Sequence, residues 1–156
     1  MKKIITMLLV IVISSTVVNE GVYAGEVEAN TEIEQINLLE QPYYIKHTDG
    51  TIEEFSNKTR LTMAYPRLRP GESLVWQPLP LYGGYNFYSF KWDTTANFQI
   101  EVLPNLIADP IHNIHIKNQV GYSGSFHYGQ SGSITLQVTN ESSSYRTLVS
   151  AMFNGR

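Results

Sequence analysis

Phe98-Gln99-Ile100-Glu101-Val102-Leu103-Pro104 and Ile134-Thr135-Leu136-Gln137-Val138-Thr139 decide the fold class. Phe98, Ile100 and Val102 take every second position of one run, as Ile134, Leu136 and Val138 do of the other. That period of two buries one face of a β-strand and wets the other. Pro104 stops the first run because it has no amide hydrogen to give to a ladder. Upstream, Tyr85 and Phe87 fall on one strand face and Tyr88, Phe90 and Trp92 on the other, which reads as a strand buried on both sides or one with an apolar outer face. Downstream, the polar Asn140-Glu141-Ser142-Ser143-Ser144 leads into Tyr145 to Phe153, a last strand rich in β-formers.

Turn chemistry punctuates these runs. Tyr43 to His47 and Thr51 to Phe55 flank Thr48-Asp49-Gly50, whose Asp-Gly tolerates the positive φ angles of a tight hairpin. Leu61 and Met63 alternate with Arg60 and Thr62 as on a half-buried strand. Pro70-Gly71 suits a type II turn before Leu74 and Trp76 resume the alternation, and Gly83-Gly84 marks another turn. Gly121-Tyr122-Ser123-Gly124-Ser125 and Gly129-Gln130-Ser131-Gly132-Ser133 read as two turns bracketing a short strand, Phe126-His127-Tyr128. No long stripe at helical spacing interrupts the pattern. The expectation is an all-β fold, a single antiparallel β-sandwich domain over residues 42–156 with about seven to nine strands.

The first 24 residues read as a signal peptide. Lys2 and Lys3 precede the apolar run Ile4 to Ile13, and Val22-Tyr23-Ala24 is an acceptable cleavage site. Ser14 and Ser15 end that run well short of the roughly twenty residues needed to span a bilayer. The mature protein is therefore expected to be secreted, to begin near Gly25 after cleavage at Ala24, and to carry no transmembrane segment. Residues 25–41 form an acidic, flexible leader in this reading, although Ile33, Ile36 and Leu39 would also make one short helical stripe, or Ile36 to Leu39 would enter the first strand. Cysteine is absent, so packing must hold the core without disulfides; with the short lysine-led signal this suits a bacterial exported protein.

Charge is divided unevenly. Residues 25–54 carry eight acids against Lys46, a net −7, whereas residues 55–156 carry eight bases against five acids, a net +3. Such asymmetry marks either a solvated leader or a basic surface meant for an anionic partner. Lys58, Arg60, Arg67 and Arg69 lie in a stretch with no acid between Glu54 and Glu72. Nucleic acid is not expected as a partner, given export and the net negative charge of the mature chain.

His112-Asn113-Ile114-His115, with Asp109 before it and His127 beyond, is the strongest candidate for metal ligation. On a helix His112 and His115 would share a face. On a strand, positions three apart diverge, and the β-branched Ile111, Ile114 and Ile116 favour a strand. No metal and no cofactor are therefore expected. Neither glycine-serine segment completes the Gly-x-Ser-x-Gly nucleophile pattern, because the fifth residue is Ser in both, and no catalytic residue is nominated.

Aromatic residues give the clearest functional signal: Trp76, Trp92, six Phe and nine Tyr remain after residue 24. Tyrosine joins a flat apolar face to a polar edge suited to wet interfaces. The expected ligand-binding residues are Tyr122, Phe126 and Tyr128 on an exposed loop pair, with Arg67 and Arg69 as the charged contribution. The leading expectation is a secreted, non-enzymatic protein that binds a cell-surface polymer, glycan or protein. The alternatives are a hydrolase whose site is assembled from His and Asp of separate strands, and a secreted toxin or inhibitor. Mass spectrometry of an expression host's culture medium should find a product starting near Gly25; an intact Met1 on membrane-bound material would refute the cleavage.

Overall fold

A computed structural model describes residues 35–55, 65–81, 83–104 and 108–154. Among these residues the chain forms nine strands and one short 3₁₀ turn: β1 (Ile36–Asn37), the turn Leu38–Glu40, β2 (Tyr43–Lys46), β3 (Ile52–Phe55), β4 (Arg67–Leu68), β5 (Ser73–Leu81), β6 (Gly84–Leu103), β7 (His112–Tyr128), β8 (Gly132–Asn140) and β9 (Arg146–Asn154). Every pairing between them is antiparallel. The fold is the expected all-β sandwich.

β6 organises it. The two alternating segments read separately in the sequence, Tyr85 to Trp92 and Phe98 to Val102, are legs of one 20-residue strand. Along one edge β6 pairs with β7 on both legs, while along the other its first leg, Phe87 to Trp92, pairs with β9 and its second, Phe98 to Leu103, with β8. One layer therefore runs from the second half of β7 through β6 to β9, which also pairs with β1 and β4; the other runs from the first half of β7 through β6, β8, β5 and β2 to β3.

The crossing sits at residues 92–97, where the register with β7 and β9 shifts. Asn97 holds it. Its amide donates to Ser142 Oγ at 2.9 Å, its carbonyl accepts from Glu141 N at 2.9 Å, and its Oδ1 accepts from the amide of Asn118 at 2.8 Å. Asn118 has φ +60°, a left-handed conformation that asparagine tolerates better than most residues.

Tyr88, Phe90, Trp92, Ala96, Phe98, Ile100 and Val102 all point inward on β6. Trp76 of β5 stacks on Phe90 across the layers at 6.1 Å, and its Nε1 donates to the carbonyl of Leu38 at 2.9 Å. That contact corrects the expected boundary of the leader. Leu38 and Leu39 are core residues and Ile36–Asn37 pairs with β9, so the folded unit begins before residue 42. Their apolar spacing was visible, but three residues of stripe did not say what they would pack against.

The expected hairpin is present, with β2 and β3 paired and Gly50 at φ +86°, as is the Pro70-Gly71 turn, with Gly71 at φ +80°. Gly84 at φ +124° accounts for the turn into β6. Leu61 and Met63 lie outside the described residues.

The segment Gly121 to Ser125 is a correction. It is no turn but the middle of β7, a 17-residue strand, so Phe126-His127-Tyr128 is the end of that strand and not a short one of its own. Its glycines serve close approach. A Cβ on Gly121 would lie 2.8 Å from the carbonyl oxygen of Phe90, and one on Gly124 would lie 2.6 Å from Tyr88 Oη and 2.8 Å from Tyr122 Cε1. Gly132, by contrast, has nothing within 4 Å of a built Cβ. Gly121→Ala and Gly124→Ala should each cost about 1–3 kcal/mol in urea unfolding, as overpacked sites do, and Gly132→Ala should stay within about 0.5 kcal/mol. Equal costs at all three positions would refute the close-approach role.

Candidate functional site

The outer face of the β9–β6–β7 layer is built from the odd-numbered positions of β6. Register sets three rows across it: Asn154–Phe87–Ser125, Met152–Ser89–Ser123 and Ser150–Lys91–Gly121. Alternate residues lie about 6.8 Å apart on a strand, so Phe87 and Lys91 are about 14 Å apart along the face. Phe87 is 49% exposed although its neighbours Asn86 and Tyr88 are buried. An aromatic ring left half in water by a strand that buries its alternate side chains is what a stacking surface requires.

Phe87, Ser89, Ser123, Ser125, Met152 and Asn154 help to line a depression of ≈ 590 Å³. A second depression of ≈ 490 Å³ shares Ser89 and Ser123 with the first and extends past Lys91, Ser150, Gly121 and Val120. The two form one groove with an apolar aromatic end, a hydroxyl-bearing middle and a cationic end. No carboxylate and no histidine belong to either lining among the described residues. Asn154 Oδ1 has no hydrogen-bond partner among the described residues. Tyr85, 62% exposed, continues the face beyond Phe87 and meets His127 edge-on at 5.1 Å.

The residues expected to bind ligand are distributed differently. Tyr122 is partly exposed and borders the second depression, but its ring lies 6.3 Å from that of the buried Tyr88. Phe126 is buried in the core, 6.4 Å from Tyr88, and Tyr128 packs against the same core, so the aromatics of β7 do not stand together on an exposed loop pair. The even positions of β7 face inward opposite those of β6, and this could not be foreseen while the segment was read as a turn.

Arg67 on β4 and Arg69 just after it lie beyond β9, with β6 and β9 between β4 and β7. Arg67 is exposed with its guanidinium 4.6 Å over the Tyr145 ring, and Arg69 Nε lies 4.0 Å from Glu72. They do not adjoin the β7 aromatics. Lys58 and Arg60 lie outside the described residues.

The histidines diverge as strand geometry requires. His112 faces the aromatic interior, with Nε2 hydrogen-bonded to Tyr88 Oη at 2.8 Å; burial lowers its pKa below the ordinary value, and burial, with a smaller contribution from Tyr122, pushes the Tyr88 phenol up. His115 lies on the opposite face, where Nδ1 meets Glu141 Oε1 at 2.8 Å. His127 belongs to the outer face beside Tyr85. Asp109 is exposed. No group of three or more His, Cys, Asp or Glu arranged to hold a metal occurs among the described residues.

Sequence reasoning missed His47 and Glu72. His47 directly follows β2 and lies between two carboxylates, with Nδ1 at 2.7 Å from Glu72 Oε1 and Nε2 at 3.4 Å from Glu53 Oε2. The other oxygen of the buried Glu72 accepts from the amide of Arg69 at 2.7 Å. The group ties the β2–β3 hairpin to the Pro70-Gly71 turn. The hydrogen bond that His47 donates to Glu72 raises the His47 pKa; burial would raise that of Glu72, but the Arg69 amide and His47 together hold it below its ordinary value.

No protein-family model matches the chain, and no curated protein matches it. Among solved structures the chain is similar to a carbohydrate-binding module of Cellvibrio mixtus lichenase 5A in complex with cellotriose, at 11% identity and a TM-score of 0.45 over 80% of this chain and 98% of that one. It is also similar to a family two carbohydrate esterase from Cellvibrio japonicus, at 12% identity and a TM-score of 0.44, covering 79% of this chain and 33% of the esterase. A third likeness is to the Clostridium thermocellum xylanase 10B modules complexed with xylohexaose, at 13% identity and a TM-score of 0.34, covering 78% of this chain and 27% of that one.

His47 makes stability depend on pH in a definite direction. Its folded-state pKa stands above 6.5, so its contribution is complete below that pH and is lost as pH rises through the raised value; Glu72 stands below 4.5, so its contribution is present above that pH and is lost as pH falls through the lowered value. Melting temperature should therefore be highest between about pH 5 and 6.5 and decline on both sides. His47→Gln should flatten the alkaline decline. A His47→Gln profile parallel to that of wild type would refute the clamp.

Proposed function

We propose that the protein is a secreted, non-catalytic domain that binds a cell-surface glycan along the outer face of β9, β6 and β7. The observation that carries this reading is the half-exposed Phe87 at the head of a groove whose middle is hydroxyl-bearing. A sugar ring has an apolar face that stacks on an aromatic side chain, and its hydroxyl rim exchanges hydrogen bonds with groups such as Ser89, Ser123 and Ser125. Serine hydroxyls both donate and accept, which matches the dual character of sugar hydroxyls. Strand-borne side chains hold these groups at fixed spacing, so little ordering entropy is lost on binding.

A binding role is favoured over hydrolysis by the groove's chemistry. General acid–base work commonly uses a carboxylate or histidine within hydrogen-bond reach of the substrate, and the polar side chains in the described lining of this groove are hydroxyls, the amides of Gln35 and Asn154, and one lysine. Secretion by a bacterial cell fits the same reading, since the polymer would be met outside the cell.

The test is affinity electrophoresis of the mature protein in gels containing soluble polysaccharides. Phe87→Ala should weaken binding by about ten- to a hundredfold, the worth of burying one phenylalanine. The paired variant Arg67→Ala/Arg69→Ala, beyond β9, should bind as wild type does. Loss of binding in the arginine variant with retention in folded Phe87→Ala would move the site to the β4 patch and refute the groove.

A further inference from the structure

Resting on the glycan-binding reading, we infer that the preferred ligand is an anionic glycan, one whose chain carries a negative substituent a short oligosaccharide's length from the ring stacked on Phe87. Three observations converge on Lys91. It is the only charged residue among the described residues lining the two connected depressions, and it lies at the end of the groove opposite Phe87. Its row-mates across β7 and β9 are Gly121 and Ser150, so no bulky side chain flanks it within its own row. It has no ion-pair partner among the described residues.

The nearest acid along its own strand is Asp93, and that carboxylate accepts a hydrogen bond from the Thr147 amide at 3.2 Å. The cation is thus presented to a ligand in a groove with no carboxylate of its own to neutralise it or to repel an anion. A lysine acts as a point charge with three rotatable donors and does not select between planar and tetrahedral anions. The shared chemistry is therefore a negative substituent, and both carboxylated and sulfated sugars satisfy it.

Two pairs of probes that differ within each pair by the anionic group test this: oligogalacturonate against its methyl ester, and sulfated against unsulfated maltooligosaccharide. In calorimetric titrations at low salt, the charged member of at least one pair should bind about three- to tenfold more tightly than its neutral twin. The preference should shrink towards unity at about 1 M salt, where the Debye length is about 3 Å. A preference confined to one pair identifies the anion as carboxylate or sulfate.

Lys91→Gln should bring the charged member down to the affinity of its twin. Lys117→Gln removes the same charge from an exposed position outside both depressions and should keep the preference. Equal binding of both twins by the wild type, or a preference that survives Lys91→Gln, overturns the inference while leaving glycan binding intact. If no probe and no polysaccharide binds the folded wild type, the glycan-binding reading fails and the inference with it.

Discussion

The backbone of β6 is the constraint on which the two layers depend. Its hydrogen bonds run to β7 along one edge and pass from β9 to β8 along the other, so one strand belongs to both sheets. The corner at 92–97 turns the chain without inverting it, because even-numbered side chains face inward from Asn86 to Trp92 and again from Ala96 to Val102. A slip of one residue would send Phe98 and Ile100 to solvent and bring Gln99 and Glu101 into the core. The cross-layer stack of Trp76 on Phe90 is possible only while that parity holds.

Buried polar groups fasten the loops that a cysteine-free domain cannot staple. Asn140 is fully buried; its amide nitrogen donates to the carbonyls of Leu68 and Ser144, and its Oδ1 accepts from the amide of Ser142. One side chain thereby connects β4, β8 and the loop before β9. Asn97 does the equivalent work at the corner of β6, and Glu72 at the Pro70-Gly71 turn. Asn140 and Glu72, which are buried, are costly to bury alone and stabilising when satisfied, whereas Asn97 fastens its corner from an exposed position; together they couple loop conformation to sheet assembly.

The groove is a by-product of the same register. Wherever β6 puts an odd-numbered residue outward, its neighbours on β7 are glycine or serine and those on β9 are serine, methionine or asparagine from Lys91 back to Phe87. Small partners beside one large aromatic leave room over the strand. Gly121 thins this face and lets the Phe90 carbonyl approach, while Gly124 on the inner face admits Tyr88 at close range. Packing inside and recognition outside therefore draw on the same segment of β7.

The sequence by itself determined the strand periodicity, the hairpin at Asp49-Gly50, the turn at Pro70-Gly71, and the division of the Tyr85 to Trp92 aromatics between two strand faces, while the structure decided which face is outer. These are local properties, set by the two-residue pleat and by the φ angles that glycine and proline allow. It also bore on the histidines, because positions three apart diverge on any strand. Only the tertiary structure decided that Gly121 to Ser125 is strand, that Leu38 belongs to the core, that Phe126 faces inward, and that Phe87 and Lys91 share a groove with serines more than 30 residues away. The reason is that these outcomes depend on which strand lies beside which. Glycine-serine composition is equally consistent with a turn and with a strand pressed against bulky neighbours, and the neighbours are supplied by hydrogen bonds between segments distant in the chain.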